Sequence, residues 1–131
     1  MMPDVSGVHH VKLPVGDLDR SRRWYETVLG LHVEIEFVED DVVRGLALAD
    51  RAGSMRLALR HDPVRAAALA GFDPLAIAVP TREAVQDWRR RLDKAGEPHG
   101  GVVTRAQRRL RTDWPARSRR HRDPALRRVT A

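Results

Sequence analysis

The chain has 131 residues, no cysteine and a formal net charge of +6. That length fits one modest domain, the missing thiols exclude disulfides and thiolate metal sites, and no apolar run reaches the roughly 18 residues of a membrane span. The charge is local: residues 1–101 hold 14 Lys and Arg against 16 Asp and Glu, whereas residues 102–131 hold 10 Arg against Asp113 and Asp123.

The opening "MMPDVSGVHH" lacks the charged-then-apolar order of a signal peptide, so a soluble, cytoplasmic protein is expected. "GVHHVKLPV" then alternates as a strand, "DLDRSRRWYETVLG" reads as a helix from an Asp17 N-cap to a stop at Gly30, and "LHVEIEFV" alternates again. "VVRGLALAD" and "SMRLALR" follow as two more strands across the turn signal "RAGS". The order is βαβββ.

Near residue 72 the pattern restarts, with "FDPLAIAV" as a strand and "TREAVQDWRRRLDKAG" as a helix from Thr81 to Gly96. A shift of 64 residues pairs Val11 with Leu75, Leu13 with Ile77, Val15 with Val79, Trp24 with Trp88 and Val28 with Leu92. Each strand then has a defined inside. Val11, Leu13 and Val15 lie under Trp24 and Val28, and their counterparts lie under Val85, Trp88 and Leu92. The other strand face carries His10 and Lys12 and must meet solvent or a cavity.

"GVHHVKLPVGDLDRSRRWYETVLGL", above all its "HHV", "DLDRS", "WY" and "VLGL", resembles the opening strand and helix of the vicinal oxygen chelate superfamily, which includes glyoxalase I, extradiol dioxygenases and the bleomycin and fosfomycin resistance proteins. "FDPLAIAVPTREAVQDWRRRLDKAGEPHGGVV" is similar to the start of that family's second module. The resemblance implies an α+β fold of paired βαβββ modules around a shared cleft. On this reading residues 1–103 form the domain, with module one at about 5–62, the start of module two at about 72–103 and module two incomplete; residues 104–131 are an Arg-rich, irregular tail. It also implies a small-molecule ligand and a homodimer.

The family's second module ends in strands and an Asp-Pro-Asp-Gly turn before a strand that often supplies a metal-binding Glu, and "TRAQRRLRTDWPARSRRHRDPALRRVTA" does not alternate in that way. With CGN and TCN codons for Arg and Ser, "RSRRHRDPALR" read one base out of frame can give Asp-Pro-Asp-Gly-Ile-Glu, so the tail reads as that ending translated in a shifted frame. A basic arm for phosphates and a solvated extension are the alternatives. Nucleic acid is not the expected partner, since Trp114 alone is available for stacking and no nucleic-acid motif is present.

The resemblance also implies a divalent metal, Fe, Ni, Zn or Mn, held by imidazole and carboxylate. His10 matches the family's first ligand position, and His61 falls near the closing position of module one. Pro74 stands where metal-binding relatives carry a His, so the site lacks a donor there and is lost if that substitution abolishes it. A solvated turn for His61, a wall histidine for His10 and a structural role for His9 are the competing readings. Glu34 and Glu36, placed on one strand face with His32, are candidate proton-abstracting carboxylates; Lys12, Arg56 and Arg60 are candidates to hold an anionic substrate. Simple exposure on a solvated strand face explains the carboxylates equally well. The functional expectations are a metal-dependent lyase or extradiol-type dioxygenase, a metal-free resistance-type binding protein, or a truncated inactive product.

Overall fold

Valine and leucine at every second position make β1, Val11–Val15, a strand with one buried side. The chain then enters α1, Leu18–Leu29, where the Asp17 carboxylate accepts a hydrogen bond from the Arg20 N–H at 2.9 Å and Gly30 closes the helix in the left-handed region at φ 70°. β2, His32–Glu39, and β3, Val42–Ala49, are joined by Asp40 and Asp41, with φ of 49° and 59°. Two consecutive left-handed residues make the tight turn whose twist suits a hairpin. β4, Arg56–His61, follows a loop in which Asp50 accepts from Ser54 Oγ and from the Met55 N–H. A short helix α2, Pro63–Ala68, and a longer one, α3, Arg82–Ala95, complete the elements of this computed structural model, which describes residues 1–102. The expectations for residues 104–131 lie outside the described residues.

The sheet order is β1-β4-β3-β2, with β1 parallel to β4 and the other pairs antiparallel. This is the expected βαβββ arrangement. β1 is shorter than "GVHHVKLPV" because its partner β4 starts at Arg56, and the pairing begins with Val11 opposite Leu57.

The chain divides between Leu69 and Ala70 into two units. In the first, Leu13, Leu46, Leu48, Leu57 and Leu59 are buried on one side of the sheet together with Ser21, Tyr25 and Val28 of α1. Each fully buried leucine contributes about 1.5–3 kcal/mol of transfer free energy. The helix stripe corrects the expectation that Trp24 covers the sheet: positions 21, 25 and 28 keep the four-then-three spacing of one helical face, and Trp24 lies beside it. Trp24 is half-buried and meets Tyr25 edge to face with centroids 5.0 Å apart; its indole N–H is buried and has no hydrogen-bond partner among the described residues.

In the second unit, Thr81 Oγ1 accepts from the Ala84 N–H at 3.1 Å, Gly96 closes α3 at φ 70°, and Leu92 is buried with Val85 and Trp88 half-buried. Asp17 and Thr81 thus cap their helices at the 64-residue shift. The expected strand "FDPLAIAV" is not formed. Leu75, Ile77 and Val79 are half-buried and Ala76 and Ala78 exposed, so the alternation is present, but among the described residues this segment belongs to no strand ladder. A strand exists only as one side of a hydrogen-bonded ladder.

Candidate functional site

With the leucines turned toward α1, alternation sends Lys12, Gly45, Ala47, Ala49, Arg56, Ala58 and Arg60 to the opposite face. The register sets Lys12 and Ala47 beside Ala58, Gly45 beside Arg60, and Ala49 beside Arg56. The middle of this face is therefore a floor of glycine and alanine with three cations around it and with Ile35 and Phe37 of β2 beside Ala47 and Gly45 along one side. Gly45 is required by the close approach of β3 to β4: a Cβ there would sit 2.9 Å from the Leu59 carbonyl oxygen.

β2 supplies the anionic partners. Its register skips from Val33 opposite Leu48 to Ile35 opposite Ala47, leaving Glu34 as the extra residue of a bulge. The expectation that Glu34 and Glu36 share a face with His32 is corrected by this bulge. Glu36 lies opposite Leu46 on the helix side, where Arg22 Nη1 donates to it at 3.3 Å, while Glu34 accepts from Arg56 Nε at 3.4 Å. Glu39, which periodicity alone did not mark, accepts from both terminal nitrogens of Arg60 at 2.5 and 2.8 Å. That hydrogen bond holds the Glu39 carboxyl below its ordinary range and raises the Arg60 guanidinium above its own. No local sequence signal joins positions 39 and 60, since the pairing depends on the register across β2, β3 and β4.

The two metal candidates do not come together. His10 precedes β1, is exposed, and has its Nδ1 2.9 Å from Nδ1 of His9. His61, half-buried, is the last residue of β4 and lies opposite Val15 in the parallel pair. Five residues of β1 between the level of His10 and that of His61 amount to about 16 Å, and strand phase puts the two on opposite faces. Metal–imidazole bonds of about 2.0–2.1 Å cannot span that distance. Pro74 has no donor atom, and among the described residues no group of three or more His, Cys, Asp or Glu could hold an ion. The described residues do not fit the expected chelate. Also among the described residues, no helix is long and apolar enough to cross a membrane.

Comparison with known proteins extends this geometry. The family model of the Glyoxalase/Bleomycin resistance protein/Dioxygenase superfamily matches residues 7–124. A glyoxylase/bleomycin resistance protein/dioxygenase domain from Frankia sp. EAN1pec is 27% identical, with a TM-score of 0.53 over 71% of each chain. The fosfomycin resistance protein FosX from Listeria monocytogenes, solved with Mn(II) and 1S,2S-dihydroxypropylphosphonic acid, is 14% identical, with a TM-score of 0.59 over 79% of this chain and 78% of that one, a likeness of fold. An integron cassette protein from the mobile metagenome of the Halifax Harbour sewage outfall is 15% identical with a TM-score of 0.53, covering 70% and 72%. Comparison with curated proteins found no match.

Proposed function

Because this chain belongs to the Glyoxalase/Bleomycin resistance protein/Dioxygenase superfamily, we propose that it binds a small anionic molecule on the glycine and alanine floor of its first unit, without a metal shared by His10 and His61. The observation that carries this reading is the arrangement of Lys12, Arg56 and Arg60 around Ala58 and Gly45. Small side chains at Ala47 and Ala58 leave room above β3 and β4, with Phe37 against Gly45 as an apolar wall on the β2 side, and the cations stand where a carboxylate, phosphate or phosphonate would meet them. A guanidinium has five donors in a fixed fork. Arg56 is held through Nε, so its terminal nitrogens can take an anion bidentately, and Glu39 fixes the plane of Arg60. The phosphonate solved with FosX is a ligand of this chemical class. Glu34 lies beside Arg56 and is the carboxylate available for proton abstraction if the bound molecule reacts, whereas Glu36 faces away.

The same reading has the protein as a homodimer. Ile35, Phe37 and Val38 of the edge strand β2 are about half exposed, an apolar row of the kind that association covers.

Calorimetric titration of the full chain with small phosphonates and dicarboxylates, in EDTA and again with Mn(II), Ni(II), Zn(II) or Fe(II), tests the assignment. Binding should persist in EDTA and weaken by roughly ten-fold or more in Arg56→Gln and Lys12→Ala, as for a lost hydrogen bond to a charged group. Binding that needs a metal would instead favour the lyase or dioxygenase reading. Binding indifferent to both substitutions would remove this face as the site.

A further inference from the structure

One line of the register crosses the whole sheet of the first unit. Ile35 of β2 stands opposite Ala47 of β3, Ala47 opposite Ala58 of β4, and Ala58 opposite Lys12 of β1. Directly paired residues share a face, so this line runs from an apolar end, over two small side chains, to a cation. The flanking positions repeat the same polarity, with Phe37 against Gly45 on the β2 side and Arg56 and Arg60 on β4. Ile35 and Phe37 are 50% and 46% exposed, so the apolar end is open.

Charge decides how many acidic groups an occupant brings. Arg56 is paired with Glu34 and Arg60 with Glu39, whereas Lys12 has no carboxylate partner among the described residues. These five groups leave a single positive charge at the Lys12 end of the line. One carboxylate matches it, and a second would meet repulsion from Glu34 and Glu39. Length follows from the strand order, because Ile35 and Lys12 lie three interstrand spacings apart, about 14 Å. An apolar contact of about 4 Å at one end and a charge-assisted hydrogen bond of about 3 Å at the other leave about 7 Å, the extent of a benzene ring with a two-carbon acid arm.

We propose that this face takes an arylalkyl monocarboxylate, its ring over Ala47 against Ile35 and Phe37 and its carboxylate between Lys12 and the terminal nitrogens of Arg56. The assignment rests on the anion-binding face proposed above and adds the apolar half of the ligand.

Amide NMR titration of the isotopically labelled full chain in EDTA, with hydrocinnamate, propionate and benzylmalonate as probes, tests it. Hydrocinnamate should bind roughly ten-fold or more tightly than propionate, the gain from covering a ring, with the shifts centred on Ala47 and Ala58. Benzylmalonate, which differs from hydrocinnamate by a second carboxylate, should bind no more tightly. Ile35→Ser and Phe37→Ala should each weaken hydrocinnamate by roughly five-fold and leave propionate unchanged, whereas Lys12→Ala should weaken both. Association through the β2 row shares Ile35 and Phe37 with the ligand, so every titration is run at one protein concentration. Equal affinity for the two monoacids, with both still lost in Lys12→Ala, would overturn the arylalkyl assignment and leave the anion site standing. Tighter binding of benzylmalonate would overturn the single charge, and no binding of any of the three would remove the assignment and the anion site together. The comparison of the three acids on the unsubstituted chain depends on no variant's folding.

Discussion

Val11, Leu13 and Val15 alternate with Lys12 and Pro14 in the first unit, and Leu75, Ile77 and Val79 alternate with Ala76 and Ala78 in the second, yet only the first series forms a strand. The difference lies in the neighbours. β1 has β4 alongside it, paired from Val11 with Leu57 to Val15 with His61, and the loop after β4 returns one further bond from the Asp62 N–H to the Val15 carbonyl. Among the described residues, the backbone of 72–79 has no such ladder. Alternation in a sequence states which side of a strand would be buried; the strand itself depends on a partner distant in the chain.

The largest expected effect separates the two regions by core packing. Leu57→Ala removes a side chain 1% exposed at the centre of the first unit and should destabilise it by about 2–5 kcal/mol. Ile77→Ala, at a half-buried position without strand pairing, should cost about 1 kcal/mol or less. Chemical denaturation of the two variants gives both values, and equal losses would break the contrast.

The helices should differ much less, because their caps are local. Asp17→Ala and Thr81→Ala each remove one side-chain acceptor from a backbone N–H and should each cost about 1 kcal/mol. Unequal costs would show that one helix depends on its surroundings more than its end does.

The smallest effect is acid sensitivity. Three carboxyls of the first unit are held below their ordinary range: Glu39 by the hydrogen bond from Arg60, Asp50 by that from Ser54, and Asp62 by that from the Arg65 N–H. A depressed pKa adds stability above the unfolded-state value and loses it as pH falls through the folded value. The denaturation midpoint should therefore be level near neutrality and decline below about pH 4. Glu39 is solvent-exposed and Asp50 and Asp62 are partly so, and the decline should therefore be shallow and should shrink with added salt.

Much of the first unit was legible because its signals are local. Asp17 and Gly30 bound α1, the period of two marks β2 to β4, and the spacing of Thr81 and Gly96 bounds α3. Three features were not legible, each decided by distant pairing. The bulge at Glu34 turns Glu36 to the helix side, Tyr25 and not Trp24 fills the space over the leucines, and Glu39 meets Arg60 across two intervening registers. The positions of Arg56 and Arg60 away from the apolar row followed from strand phase, but their carboxylate partners did not. The short helix α2, with Asp62 as its cap and Pro63 in its first turn, has a start signal that the turn character of "HDP" obscured.

The central claim is that the first unit is a hydrogen-bonded βαβββ sheet while 72–79 carries the same pattern without a ladder to any of the described residues. Hydrogen exchange of the full chain, resolved by residue, tests it most directly. Slow exchange in the β1 and β4 ladder, at positions such as Leu13 and Leu59, beside fast exchange at Leu75, Ile77 and Val79, is the predicted result. Comparable protection in both stretches would contradict the account.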